Sequence, residues 1–335
     1  MRTYLRQALC ALPKQDQGFA EPGALSSTSP ADLPLPRTAF RESFVLLASR
    51  ARRSGNLRSG THPRKGIRRQ KGRKLRRTGD WLNGRHVVVT GAGTGIGRAI
   101  ALRLARDGAA LTLLARGRER LDETAAAIDG PVCIESCDIR QRRRVKRAMA
   151  RGAGELGPIH GLVAASGLGG PNGDDDEGGD RFDDIVQTNV NGTYYCIRAM
   201  LDHLAPGPDT RHVVVLSSIL ARIAVPSYTG YSASKAGLLG LVRSFAAELA
   251  PRGVQVNAIC PGWVDTDMAW RGLDAAAEAD GGTREDAYRD AMKLVPLGRM
   301  SQPEDIAGTV AWLLSPDARG VTGQAIDQNG GAWVG

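Results

Sequence analysis

The chain has 335 residues, 42% of them hydrophobic and 24% charged, with a formal net charge of +10. That length and apolar content suffice for a packed core in one large or two small domains, and no apolar run approaches the ~20 residues that a membrane-spanning helix needs. The basicity is local: residues 1–80 carry 18 Lys or Arg against 5 Asp or Glu, whereas residues 81–335 carry 27 against 30, a net of −3.

Residues 1–80 are rich in Pro, Ser, Gly and Arg and show no sustained periodicity beyond a short helical hint at Phe44–Ala51. Such a composition buries too little to fold alone and predicts a disordered basic arm. Nine of the fourteen residues from Arg64 to Arg77 are Lys or Arg, a run that attracts nucleic acid or anionic lipid but lacks aromatics to stack on bases. An organelle transit peptide has a similar composition, without a marked cleavage site here. A solvated arm, or translated sequence upstream of the true start, is the reading preferred.

From Trp81 the texture changes, and the folded domain is expected over 81–335. His86–Thr90 reads as a buried strand of β-branched residues. It breaks into Gly91-Ala92-Gly93-Thr94-Gly95-Ile96-Gly97, after which Ile96, Ala99, Ile100 and Leu104 recur at helical spacing. Gly91 frees the backbone to leave the strand sharply, and Gly95 and Gly97 remove side chains where a ligand and the next helix must approach. The helix then points its free N–H groups at the turn, a seat for a dinucleotide pyrophosphate. Further strands are predicted at Ala110–Leu114, Val132–Ser136, Gly161–Ala165, Val213–Leu216, Val254–Ile259 and Gln324–Asp327. Helices are predicted at Gly95–Asp107, Arg118–Ile128, Arg140–Ala150, Asp180–Leu204, Tyr231–Ala250 and Pro303–Leu314. This alternation predicts an α/β fold, a single doubly wound Rossmann-type domain on a parallel sheet of about seven strands, with its ligand at the strands' carboxyl ends.

At the end of the second strand an acid would accept from the ribose 2′-hydroxyl of NAD, and a cation would grip the 2′-phosphate of NADP. The sequence there is Ala115-Arg116, so NADP(H) is expected in preference to NAD(H). Tyr231 and Lys235 lie four apart and therefore on one helix face. A phenol near pKa 10 exchanges protons poorly at neutral pH, but an ammonium one turn away and a positive nicotinamide would favour its ionised form. Tyr231 is then a general acid in carbonyl reduction and a base in reverse. Ser218, thirteen residues earlier and just after a strand, can donate to the substrate oxygen as charge develops on it.

The wide glycine turn, Thr-Gly-x-x-x-Gly-x-Gly, together with Ser218, Tyr231 and Lys235, resembles the short-chain dehydrogenase/reductase family over residues 85–335. The resemblance implies that Asn189, in Asn189-Val190-Asn191-Gly192, holds a water of the proton relay and that Lys235 also bonds the nicotinamide ribose. It places Asn257-Ala258-Ile259-Cys260-Pro261-Gly262, Val264 and Thr266 beside the nicotinamide. It also implies that Asp138 contacts the adenine amino group, although an Asp after a strand can equally cap a helix. Pro296-Leu297-Gly298-Arg299 and Val321-Thr322-Gly323-Gln324 are similarly familiar.

The sequence departs from the family's Asn-Asn-Ala-Gly at Ala164-Ala165-Ser166-Gly167. Gly167 keeps the backbone close to the adenosine ribose, but an amide that braces the central sheet is missing, so cofactor affinity or stability is where the effect should fall. Residues 263–295, with Met268, Trp270, Leu273, Tyr288 and Met292, are expected to form a helical lid over the substrate; an insert packed permanently on the body is the alternative. Within the family the chain most resembles the 3-oxoacyl-carrier-protein and polyketide ketoreductases, a resemblance that implies a small carbonyl or alcohol substrate, acyl thioesters included. Sugar, steroid or small-alcohol dehydrogenases are the runner-up. A non-catalytic dinucleotide sensor with a nucleic-acid-binding arm is a third reading, disfavoured by the intact Ser218, Tyr231 and Lys235. A homotetramer through Asp180–Leu204 and Tyr231–Ala250 is implied as well.

Cys10, Cys133, Cys137, Cys196 and Cys260 form no Cys-x-x-Cys pair, and the five histidines show no metal-ligand spacing. Reduced thiols, a cytoplasmic location and no metal are expected. The carboxylates Asp174 to Glu177 lie between glycines and read as a solvated loop rather than a cation site.

Overall fold

The computed structural model describes residues 81–173, 179–207 and 209–335. The basic arm, the Phe44–Ala51 helix, Cys10 and the Asp174–Glu177 loop lie outside the described residues.

Seven strands, β1 (His86–Thr90), β2 (Ala110–Ala115), β3 (Val132–Ser136), β4 (Ile159–Ala164), β5 (Arg211–Leu216), β6 (Val254–Pro261) and β7 (Ala325–Gln328), form one sheet in the order β3-β2-β1-β4-β5-β6-β7. All six pairings are parallel. Strands covered on both faces need apolar residues throughout, hence the runs Val87–Val89 and Val213–Val215 rather than an alternating pattern. On one face lie α1 (Gly95–Arg106), α2 (Arg118–Ala126) and α9 (Pro303–Leu314), burying Ile100, Leu104, Leu121, Ile306 and Val310. On the other lie α3 (Arg142–Leu156), α5 (Thr193–Leu201) and α6 (Thr229–Leu249), burying Val145, Met149, Ile197, Leu238 and Val242. The strand order reverses between β1 and β4, and a crevice opens at that point in folds of this kind.

The helix predicted over Asp180–Leu204 is divided. α4 (Phe182–Val186) runs into a π-helical turn, Gln187–Gly192, before α5. The wider turn accommodates one residue more than α-geometry and turns Asn189 fully inward. A Cβ at Gly192 would stand 2.7 Å from two atoms of the Ile139 side chain, so the turn can approach β3's exit only with glycine there. The expected lid is a pair of helices, α7 (Asp267–Asp280) and α8 (Arg284–Met292). They share a small apolar cluster of Leu273, Met292, Val295 and Met300 with Trp263, Trp270 and Tyr288.

Three imidazoles lie toward the other end of the sheet. His86 bonds Gly157 O and Thr112 Oγ1, each at 2.8 Å, and its backbone N–H donates to His160 Nδ1. Burial lowers the pKa of all three of His86, His160 and His212, and for His212, which also faces Arg85 and Arg211, it falls to about 4. A histidine neutral in the fold and protonated when unfolded contributes stability above its unfolded pKa, and that contribution is lost as pH falls from 6.5 toward 4. Denaturant unfolding at pH 5 should therefore show about 2 kcal/mol less stability than at pH 7 from His212 alone. Equal stabilities at the two pH values would refute this account of the site.

Candidate active site

A cleft of about 670 Å³ opens at the carboxyl ends of β1, β2 and β4. Of the residues expected to bind a dinucleotide, Gly91, Thr94, Gly95, Ile96, Gly97, Arg116, Asp138, Gly167 and Thr266 line it. The glycine turn is packed as tightly as its sequence implied. Gly91 has φ +71°, and a Cβ there would stand 2.9 Å from Ala165 O and Ser166 N. At Gly97 a Cβ would collide with the Gly91 carbonyl, and at Gly95 (φ +50°) it would meet Thr266 Cγ2 at 3.2 Å. These absent side chains leave a backbone-lined cradle beside the first turn of α1, which fits a pyrophosphate.

The turn at Ala164-Ala165-Ser166 is held from β1. Thr90 Oγ1, at the end of β1, accepts from the backbone N–H groups of both Ala165 and Ser166 at 3.1 Å. The turn after β4 is thus pinned to β1 by a hydroxyl.

At the β2 end, Arg116 is exposed and forms no ion pair among the described residues. Three cations overlooked in the sequence, Arg120, Arg140 and Arg271, also line the cleft. Arg140 binds Asp138 at 2.8 Å and Asp184 at 3.0 Å, and the guanidinium holds the Asp138 carboxyl below the usual carboxylate range. Asp138 also accepts from the Arg140 backbone N–H at 3.0 Å. It closes this turn rather than capping α3, whose N-cap is Gln141. Arg120 and Arg140 reach the cleft through the folding of α2 and the β3 exit around β1, a proximity that no local spacing announces.

Pro261, Gly262 and Val264 are not among the residues that line this cleft. Gly262 N–H donates to Gln328 O at 3.2 Å, and a Cβ on Gly262 would meet Asn329 at 3.0 Å. Val264 is buried and bridges to Ser301. Thr266 caps α7, accepting from Ala269 N–H, and Met268 beyond it lines the cleft over Gly169.

Asn189, Ser218, Tyr231 and Lys235 come together past Gly167, where a Cβ would stand 3.1 Å from Asn189 Oδ1 and 3.5 Å from Lys235 Nζ. Asn189 clamps the cleft's inner wall. Its Oδ1 accepts from Leu168 N–H at 2.8 Å, and its Nδ2 donates to Leu168 O and to Ser234 Oγ, both at 2.9 Å. Lys235 Nζ donates to Leu216 O at 2.8 Å and lies 5.5 Å from the centre of the Tyr231 ring. The Ser218 hydroxyl lies beside the Tyr231 phenol, whose ionised form it favours, and its Oγ accepts from Leu220 N–H at 3.2 Å.

Burial moves both titrating partners toward neutrality: it pulls the Lys235 ammonium down to about 8 and pushes the Tyr231 phenol up, against the lowering effect of the Ser218 hydroxyl. The protein's own groups therefore do not produce the lowered phenol expected from sequence. They hold a protonated phenol beside a hydroxyl donor and an ammonium, an arrangement for giving a proton to an oxygen that becomes negative. Cys133, Cys137, Cys196 and Cys260 are free and buried. Among the described residues no group of three His, Cys, Asp or Glu could hold a metal ion, and no helix is long and apolar enough to cross a membrane.

Residues 91–332 match the family model described as enoyl-(acyl carrier protein) reductase. The short-chain reductase protein NovJ of Streptomyces niveus is 35% identical over 247 residues, covering 73% of this chain and 92% of that protein. The 3-oxoacyl-[acyl-carrier-protein] reductase FabG of Staphylococcus aureus is 32% identical over 254 residues, covering 74% and 97%. A crystal structure of a substituted actinorhodin polyketide ketoreductase with NADPH is similar at a TM-score of 0.67 and 32% identity, covering 74% of this chain and 97% of that one.

Proposed function

The chain belongs to the short-chain dehydrogenase/reductase family, nicotinamide-dependent oxidoreductases acting on carbonyl and alcohol groups, and on that premise we propose that it is an NADP(H)-dependent ketoreductase whose substrates include 3-oxoacyl thioesters. The observation that carries this reading is the Tyr231 phenol with Ser218 beside it and Lys235 Nζ 5.5 Å from its ring centre, adjoining Gly167 of a glycine-lined cleft. The substrate class is drawn from the likeness to FabG and to the polyketide ketoreductase.

Gly91, Gly95 and Gly97 would admit the pyrophosphate, Arg116 the 2′-phosphate, Gly167 the adenosine ribose, and Lys235 the nicotinamide half with Pro261, Gly262, Val264 and Thr266. A bound reduced nicotinamide supplies the hydride taken by the carbonyl carbon. Ser218 donates a hydrogen bond to the carbonyl oxygen, and Tyr231 Oη gives that oxygen its proton, completing the alcohol. Lys235, with donors left beyond the Leu216 bond, stabilises the resulting phenolate. Asn189 fixes Leu168 and Ser234 around it and, by the family's pattern, the water through which the phenol regains its proton. A tetramer through α4 to α5 and α6, and a cytoplasmic location, complete the proposal.

Titration with NADPH and NADH by nicotinamide fluorescence, followed by oxidation against acyl thioesters, simple ketones and sugars, tests it. Absence of turnover with every carbonyl would overturn the reading. Arg116→Asp should weaken NADPH binding about 30-fold, the loss of a charge-assisted phosphate contact, while changing NADH binding less than about threefold. Equal losses for the two nucleotides would mean that Arg116 does not face the phosphate.

A further inference from the structure

The catalytic helix α6 begins without a cap of its own. Its N-cap residue, Tyr228, forms no side-chain capping bond, yet a helix start leaves several N–H groups in need of acceptors. Tyr231 is the third residue of this helix, so disorder in the first turn displaces the phenol directly. A residue remote in sequence supplies the missing acceptor: Asn172 Oδ1 accepts from Gly230 N–H at 2.9 Å. Asn172 Nδ2 donates to Thr229 Oγ1, also at 2.9 Å. The Asn172 backbone N–H donates to Ser227 O at 2.8 Å.

Ser227 adds a second observation. Its φ of +64° is the only positive value at a non-glycine position among the described residues, and such a conformation persists only where its surroundings impose it. The Asn172 bond to Ser227 O is one such constraint. The first turn fits closely as well, since a Cβ on Gly230 would stand 3.0 Å from Asn172 Oδ1 and 3.2 Å from Phe182 Cα. The segment ending in Asn172 begins in the cleft, where Gly167 and Leu168 form part of the wall and Leu168 is held by Asn189 on both backbone groups.

We propose that Asn172 is a positioning residue for Tyr231: it caps the catalytic helix from outside and holds the strained Ser227 turn, tying the phenol's position to the cleft wall at Leu168. The proposal rests on Tyr231 being the acid of the reaction. Asn172 touches neither reacting atoms nor dinucleotide in this account.

The test compares Asn172→Ala and Asn172→Asp with the unaltered full-length chain. Asp keeps an acceptor for Gly230 N–H and places a negative charge at a helix start, where it is favourable. Asn172→Ala should lower kcat about tenfold with the KM for NADPH unchanged and displace the pH profile of kcat, and Asn172→Asp should restore most of kcat. Amide hydrogen exchange over residues 227–235 should rise at least tenfold in the Ala variant and return toward the original rate in the Asp variant. Unchanged exchange in Asn172→Ala, or faster exchange with an unchanged kcat and pH profile, would overturn the proposal. So would a parallel loss of NADPH affinity and kcat that Asp fails to restore, since that is the behaviour of a residue needed only for folding. Exchange requires no substrate, so if no carbonyl is turned over the reading of the reaction fails while the exchange arm still decides whether Asn172 holds the helix start.

Discussion

Tyr231→Phe is expected to reduce carbonyl turnover by about a thousandfold, the magnitude associated with removal of a positioned general acid, while NADPH affinity stays within about twofold. The separation of the two effects follows from what the substitution leaves behind. Phenylalanine keeps the edge contact with Tyr228, whose ring centre lies 6.5 Å away, and the ring face 5.5 Å from Lys235 Nζ. Lys235 keeps its bond to Leu216 O, and Asn189 its clamp on Leu168. Only the phenolic oxygen and its proton are lost. Single-turnover oxidation of bound NADPH, with fluorescence titration of the nucleotide, reads both quantities. A variant retaining more than a tenth of the rate would remove Tyr231 from the role of acid.

The second large effect falls on the glycine turn. Gly97→Ala would drive a methyl group into the Gly91 carbonyl oxygen, with the Gly91 carbon at 2.6 Å and Ala92 N at 3.3 Å. Every one of these neighbours is backbone, so no side chain can swing aside, and α1 must shift away from β1. Overpacking of this kind costs about 2 kcal/mol or more, and the same shift distorts the anion cradle, so NADPH affinity should fall by at least tenfold. Gly117 provides the control: it also lines the cleft, yet a Cβ there meets nothing within 4 Å. Gly117→Ala should leave thermal stability and nucleotide affinity close to the original. Loss of affinity of similar size in both variants would mean that the packing of Gly97 is not what shapes the cradle.

What the sequence disclosed, and what it hid, divides along the range of the interactions involved. β1 was legible to the residue because Val87–Val89 is an uninterrupted β-branched run ending in glycine, and α9 because Pro303 and its acidic first turn mark a helix start. β5 begins two residues before its apolar run, at Arg211 and His212. Those polar residues are buried in the strand because Arg211 finds the carbonyls of Gly207, Asp209 and Arg252, partners that an apolar pattern cannot reveal. The π turn in the middle of the helix predicted over Asp180–Leu204 was invisible for a similar reason: its cause is the fit of Gly192 against Ile139 and of Asn189 against Leu168. At the site, the nearness of Ser218, Tyr231 and Lys235 to one another was legible through their spacing. Arg120, Arg140, the Thr90 hydroxyl that holds the turn after β4 and the cap from Asn172 are products of the folded chain and were not.

The segment of residues 263–300 has a packing unit of its own, since Leu273, Met292, Val295 and Met300 are buried against Trp263, Trp270 and Tyr288 rather than within the two large clusters on the faces of the sheet. Trp270 and Tyr288 stack at 5.7 Å, and the Trp270 indole is pinned to Asp265 at 2.7 Å. A segment with a private core can change its inward-facing residues without disturbing the scaffold that holds the proton donor. In such a chain the range of accepted substrates and the integrity of the reaction centre are free to diverge separately, and residues 263–300 form a natural cassette for exchange between related enzymes.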